Sequence, residues 1–327
     1  ARLRERLEDF QVDEVLGFEP SGQGEHWLLR VRKCNANTGW VAADLARQAG
    51  VRPFEVGYAG LKDRRAVTTQ WFTVPARRGG VQDWAGRAGE GYEILEAHRH
   101  TRKLPRGALA GNRFTLVLRG FTGSREALER RVAEIAVEGV PNYFGPQRFG
   151  RELGNLAVLR GEPVRGERGF AYSAARSLIF NAVLAERLAA GHWNMLLPGE
   201  RANLEGSNST FRVEAIDETL RQRLAALDIH PTGPLWGEGE SGVTGEVAEL
   251  ESSVASRYPA LLELLRADRL ASARRPLRMV VRDLALRWLP EADACELQFS
   301  LRGGSFATTV VRELVHLDDA TGAEEHA

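Results

Sequence analysis

The chain has 327 residues, 43% of them apolar and 27% charged, with 44 basic and 44 acidic side chains. These values exclude a mainly disordered, collagenous or coiled-coil protein. The length exceeds the ~250–300 residues at which one core stops growing, so two domains are expected.

The first third reads as strand. Phe10-Gln-Val-Asp-Glu-Val and His26-Trp-Leu-Leu-Arg-Val-Arg alternate apolar and polar residues. A helix is predicted over Gly39–Gln48, with Val41, Leu45 and Gln48 on one face and Asn37 or Thr38 as its cap. Val56–Gly60 and Thr68–Val74 read as strands joined by a charged turn. Tyr92–His100 and Arg113–Arg119 are further strands, and Glu126–Glu138 is an amphipathic helix. Ser173–Ala190 is a helix, and Val247–Arg266 holds one or two more. Between them, His230-Pro-Thr-Gly-Pro and the Gly237–Gly242 stretch read as turns. Strand-like alternation returns at Leu277–Val281 and Cys295–Leu301, and a last helix follows Ser305. The pattern predicts an α/β (α+β) protein. Residues 1–139 and 286–327 make one mixed domain, into which a more helical domain, 140–285, is inserted.

Zero net charge does not preclude a basic face. Lys62–Arg151 holds 17 basic and 9 acidic residues (17 − 9 = +8), whereas Arg201–Leu250 holds 4 and 9 (4 − 9 = −5). Cys34 and Cys295 cannot build a disulfide framework or a four-cysteine metal site, so a reducing, cytoplasmic compartment is expected. No run of ~18 apolar residues suggests a membrane span. Ala1 stands where Met would open a chain, so the N-terminus is expected to be incomplete. Gly237-x-Gly239-x-x-Gly242 has a dinucleotide-binding spacing, but Glu238 and Glu240 would repel a pyrophosphate, and a loop is expected instead. His98 and His100 share a strand face without a third ligand. No metal and no cofactor are called for.

The segment with most chemistry is Tyr58-Ala-Gly-Leu-Lys-Asp-Arg-Arg-Ala-Val-Thr-Thr-Gln, residues 58–70. Small Ala59 and Gly60 would let a backbone or ligand approach. Asp63 sits among Lys62, Arg64 and Arg65, whose charges favour its ionised form. A lone ionised carboxylate suits nucleophilic rather than two-carboxylate chemistry. By itself the segment also suits a solvated hairpin turn.

This segment resembles the signature of the TruD family of tRNA pseudouridine synthases. Four others resemble that family in the same order: Glu8–Glu14, His100–Leu116, Gly139–Arg151 and Gly304–Leu314. The resemblance implies the pseudouridine synthase fold with an inserted TRUD domain, and the isomerisation of uridine to pseudouridine in tRNA, with uridine 13 of the D arm as target. It implies Asp63 as the catalytic residue, acting as nucleophile or base, with no cofactor or metal. The cation beside it would be Arg4, six positions before Phe10, where the family usually carries Lys; Lys62 is the alternative. An extruded uracil needs aromatic faces and hydrogen bonds to its edge. Phe114 would supply the face, with Phe306 and Phe10 as further aromatic contacts. Asn112, two positions from Phe114 on one strand, would offer a donor and an acceptor to the base edge. Arg64, Arg65, Arg102, Lys103, Arg106, Arg113, Arg148 and Arg151 are candidates to grip tRNA phosphates.

Two other functions compete. A non-catalytic RNA-binding protein of the same fold would lack the carboxylate that Asp63 supplies. A sugar or nucleoside hydrolase would show a second carboxylate in a comparable motif, and none is found. The partner expected is tRNA, with no membrane, and the chain is expected to act as a monomer.

Overall fold

Alternating side chains place the strands of the first third in a single sheet. The computed structural model describes residues 1–77, 79–162, 168–267, 269–291 and 293–318. Among them, ten strands form one sheet in the order Arg282–Trp288, Cys295–Arg302, Gly111–Arg119, Phe10–Val15, Val67–Pro75, His26–Cys34, Tyr92–His100 and Ala88–Gly89. Arg2–Leu3 adds to Gly111–Arg119, and Gly57–Tyr58 to Val67–Pro75. Every pairing is antiparallel except that of Phe10–Val15 with Val67–Pro75. The fold is α/β, as the pattern predicts, and its large sheet is mainly antiparallel. Val67–Pro75 is buried along nearly its whole length, which suits a strand covered on both faces.

Chain contacts divide the protein into two compact units. One comprises Ala1–Ala133, Val281–Ala307 and residues 314–318; the other comprises Glu134–Val280 with Thr308–Glu313. In the first unit, helix Thr38–Ala49 is capped by the Asn37 side chain, which accepts from Gly39 N–H. Its Val41, Ala42 and Leu45 pack on Leu29, Val31, Phe72 and Ile94. The strand read at Val56–Gly60 is only Gly57–Tyr58, because the chain leaves the ladder at Ala59.

The second unit has more strand than the sequence suggests. His230-Pro-Thr-Gly-Pro, read as a turn, lies in the buried strand Ile229–Leu235 of a four-stranded sheet. Ile229–Pro231 pairs with Arg201–Leu204, and Thr232–Leu235 pairs with Ala273–Pro276. Each half thus has one ladder partner, and Pro231 and Pro234 are tolerated without N–H groups. A Cβ on Gly233 would meet Leu277 at 2.8 Å and Phe180 at 3.0 Å, so glycine allows helix Arg168–Ala189 to lie close. Val247–Arg266 is two helices, Gly245–Ser256 and Pro259–Ala267, and Gly237–Gly242 is a loop. No described helix is long and apolar enough to cross a membrane.

Candidate active site

Strand register brings the site residues to one sheet face. Val12 stands opposite Phe114 and beside Thr68, and Glu14 stands opposite Asn112. Phe114 is level with Phe299, and Lys33 with Thr68. Side chains alternate along a strand, so Phe10, Val12, Glu14, Lys33, Thr68, Gln70, Asn112 and Phe114 share this face.

The segment carrying Asp63 rises where the sheet has a gap. Phe10–Val15 pairs with Val67–Pro75 as far as Thr69, and Gly57–Tyr58 resumes at Phe72. The Trp71 N–H in between donates to the Glu14 carboxylate at 2.9 Å, so the missing ladder partner is replaced by a side chain. The segment is then pinned residue by residue. Gln70 Nε2 donates to Gly60 O at 2.6 Å, and Lys62 N–H donates to Thr38 Oγ1 at 3.1 Å. Lys33 Nζ donates to Asp63 O at 2.9 Å, to Ala36 O at 2.8 Å and to Lys62 O at 3.5 Å. Lys62 Nζ donates to Glu14 Oε1 at 2.7 Å.

Against this fixed backbone the Asp63 carboxylate stays open, 55% exposed, and accepts from Arg4 Nη2 at 2.5 Å. The Arg4 side chain is only 10% exposed, and its guanidinium lies 3.9 Å from the Phe10 ring centroid. The ring backs the guanidinium while one edge meets Asp63. Arg4 is therefore the cation beside Asp63. Lys62, the alternative from sequence, is instead committed to the buried Glu14, and its ammonium is not free for a substrate in this arrangement.

The aromatic residues are less open than the sequence suggests. Phe114 is 6% exposed, with Phe299 stacked on it at 5.3 Å and Phe10 edge-on at 6.4 Å. Phe299 occupies one face of its ring, so in this structure Phe114 also packs within the sheet face. Phe10 is buried under Arg4. Phe306 is half-buried just before helix Ala307–Leu314, after Gly304 at φ 84°. Asn112 is half-buried, and its Oδ1, a buried acceptor, has no hydrogen-bond partner among the described residues.

Of the arginines and lysines put forward for phosphates, Arg64, Arg65, Arg102, Lys103, Arg106 and Arg113 are exposed. Lys103 Nζ caps Phe54 O at 2.5 Å, and Arg106 stacks 3.7 Å over the Tyr58 ring. Arg113 points away from the Asn112 and Phe114 face. In the second unit Arg148 donates to Ser173 at 2.9 Å and lies 5.1 Å from the Phe144 ring, and burial lowers its pKa. It is built into that unit rather than free for phosphate. The Arg151 side chain lies outside the described residues.

Sequence reasoning passed over Lys33, Glu14, Gln70 and Thr38. Lys33 is 0% exposed and its pKa falls to about 8, chiefly through burial and also through Lys62, with Asp63 and Cys34 opposing. The overlooked signal was periodicity: Lys33 continues the buried series Leu29, Val31, and Glu14 continues Phe10, Val12.

The family described as tRNA pseudouridine synthase D (TruD) matches this chain over residues 1–165 and 170–314. The tRNA pseudouridine synthase D of Methylococcus capsulatus is 48% identical over 324 residues, covering 97% of this chain and 91% of that protein. That of Nitrosococcus oceani is 48% identical over 330 residues, covering 98% and 92%. That of Pseudomonas aeruginosa is 45% identical over 324 residues, covering 97% and 91%. A crystal structure of the protein assigned as tRNA pseudouridine synthase D (TruD) in Methanosarcina mazei superposes with a TM-score of 0.74 at 22% identity. It covers 96% of this chain and 93% of its own, a likeness of fold.

Proposed function

The chain belongs to the tRNA pseudouridine synthase D (TruD) family, and on that footing we propose that it isomerises uridine to pseudouridine in tRNA. The finer reading is uridine 13 of the D arm, modified by a cytoplasmic monomer that needs no cofactor. The observation that carries the proposed activity is one open carboxylate, Asp63, held by Arg4 on a backbone pinned from beneath.

The reaction changes no atoms overall. The N1–C1′ bond breaks, the uracil turns while held, C5 bonds to C1′, the C5 proton leaves and N1 gains one. Asp63 is the nucleophile or base for this sequence. Arg4 would hold its carboxylate in one orientation. Asn112 Oδ1, a buried acceptor with no partner among the described residues, suits a uracil N–H. Phe306 is the more open of the aromatic candidates on which the base could stack. The exposed Arg64, Arg65, Arg102 and Arg106 would hold phosphates and supply affinity without sequence information.

The test is incubation of the full chain with tRNA transcripts, followed by chemical mapping of pseudouridine. A single stop at position 13 of the D arm is expected. Modification elsewhere would correct the target, and no modification with correctly folded tRNA would overturn the activity.

A further inference from the structure

We infer that Lys33 is a positioning residue: its buried ammonium grips the backbone of Lys62 and Asp63 and thereby aims the Asp63 carboxylate, a role that rests on the pseudouridine-forming reading. Three observations lead there. Lys33 is wholly buried on the face that otherwise continues Leu29 and Val31, where an apolar side chain would be expected. Its ammonium has carbonyl partners and no carboxylate ion pair among the described residues. Two of its three carbonyls belong to Lys62 and Asp63, and the third, Ala36 O, belongs to the turn into helix Thr38–Ala49. A buried charge without a countercharge disfavours folding, so this cation is an expensive way to fill a core position.

The geometry says what it does instead. Holding Asp63 O fixes the Cα of Asp63, which leaves only the side-chain torsions to place the carboxylate. Arg4 then restrains those torsions from the open side. Gln70 and Thr38 hold the approach at Gly60 and Lys62, but only Lys33 holds Asp63 itself among these three. Three N–H donors for three carbonyls need the protonated amine; the neutral amine has two.

The surroundings give this a pH signature. Burial and Lys62 lower the Lys33 pKa, Asp63 and Cys34 raise it, and the balance leaves it at about 8. Tyr92, level with Lys33 on the neighbouring strand, has its hydroxyl bonded to Asp44 and Gln48 instead. Thr68, level with it on the other side, carries no charge.

The experiment uses the full chain, a tRNA transcript, and the variants Lys33→Met and Lys33→Gln. Pseudouridine formation by the wild type tests the underlying activity by itself. Amide hydrogen exchange of residues 61–66 tests the positioning whether or not that activity exists. Expected for both variants is a single-turnover rate at least 30-fold lower, tRNA Kd within threefold of wild type, and exchange at 61–66 at least tenfold faster. The wild-type rate should fall severalfold as pH rises through about 8, and the Lys33→Met rate should stay flat over that range. A variant rate within threefold of wild type, with unchanged exchange, overturns the inference. Should both variants unfold, the wild type decides: a rate that falls through pH 8 together with intrinsic-rate-corrected loosening of 61–66 supports it, and a fall in rate without loosening overturns it.

Discussion

Arg4 and Asp63 lie 59 positions apart in sequence and meet at 2.5 Å. Arg4 reaches Asp63 from a left-handed backbone, φ 64°, a region that costs a non-glycine residue on the order of 1 kcal/mol. A left-handed arginine whose guanidinium lies over Phe10 and on one carboxylate is what a site built around that carboxylate requires. Because Asp63 is more than half exposed, the pair adds little to stability, ~0–1 kcal/mol. Arg4→Gln should therefore leave the melting temperature nearly unchanged while lowering the single-turnover rate ~10–100-fold, and Arg4→Lys should recover part of the loss. Equal rates for Gln and wild type would reduce Arg4 to a structural contact.

Asp63→Asn keeps shape and volume. The carboxylate is exposed and the backbone carbonyl that Lys33 holds is untouched by the change. Folding and tRNA affinity should survive, and pseudouridine formation should fall below detection in a mapping assay. Residual turnover above about one part in a thousand would move the chemistry to another group.

Phe114 separates packing from catalysis. It is buried between Phe299 and Phe10. Phe114→Ala should cost ~3–5 kcal/mol of stability, and a melting temperature lower by roughly 10 °C is the expected reading. Phe114→Tyr must bury a hydroxyl and should cost ~1–3 kcal/mol if no acceptor is within reach. A Phe114→Ala protein with an unchanged melting temperature and a reduced single-turnover rate would identify this ring as a base-stacking face.

The parts of this site that were legible in the sequence are those written as one continuous segment. Residues 58–70 announced Asp63, and the alternation of Phe10–Val15 and Gly111–Arg119 announced the strands that flank it. What was not legible depends on register. Nothing in the spacing of Lys33, Glu14 and Lys62 says that they converge, because the sheet order, not chain distance, makes them neighbours. Lys33 and Glu14 did occupy apolar-phase positions, yet each lies near a strand end, where a charged residue ordinarily reads as solvent-facing. Lys62 misled for the same reason: adjacency to Asp63 suggested an ion pair, whereas successive side chains diverge, and Lys62 turns to Glu14. The strand Ile229–Leu235 was hidden by Pro231, Gly233 and Pro234, which act as breakers only where both edges of a strand must pair.

Glu14 and Lys62 form a pair that is nearly closed to solvent, with side chains 0% and 9% exposed. Glu14 also holds the Trp71 N–H at the gap in the sheet. Glu14→Ala would leave a buried ammonium and a backbone donor both unpaired, and a loss of ~3–5 kcal/mol is expected by denaturant unfolding. Lys62→Met should cost less, since Glu14 keeps the Trp71 bond. The double variant should be less destabilised than the sum of the two, with a coupling of ~1–3 kcal/mol. Strict additivity would show that the two side chains do not depend on each other.

Lys33 also sets a pH dependence of stability whose sign can be worked out. Its folded pKa of about 8 lies below the ordinary 10.5, so the native state gives up this proton first. Between those values the unfolded chain holds more protons than the folded one, and stability rises with pH. Below about 8 both states carry the charge, and the full penalty of burying it is present. The slope from this one group is at most ~1.4 kcal/mol per pH unit. Other groups oppose it: burial raises the Cys295 thiol to about 11, and burial with the bond to Asp44 raises Tyr92. In both, the unfolded state loses its proton first, so each lowers stability as pH rises past its unfolded value. The wild-type curve alone therefore mixes the two trends, and the difference between wild type and Lys33→Met separates them. Urea unfolding of both proteins from pH 7 to 9.5 should show wild type gaining on the variant by ~1–2 kcal/mol, with the gain beginning near pH 8. A difference that stays constant over that range would mean that the native state keeps the Lys33 proton. Lys33 would then hold Asp63 at every pH measured, and the fall in rate through pH 8 should vanish with it.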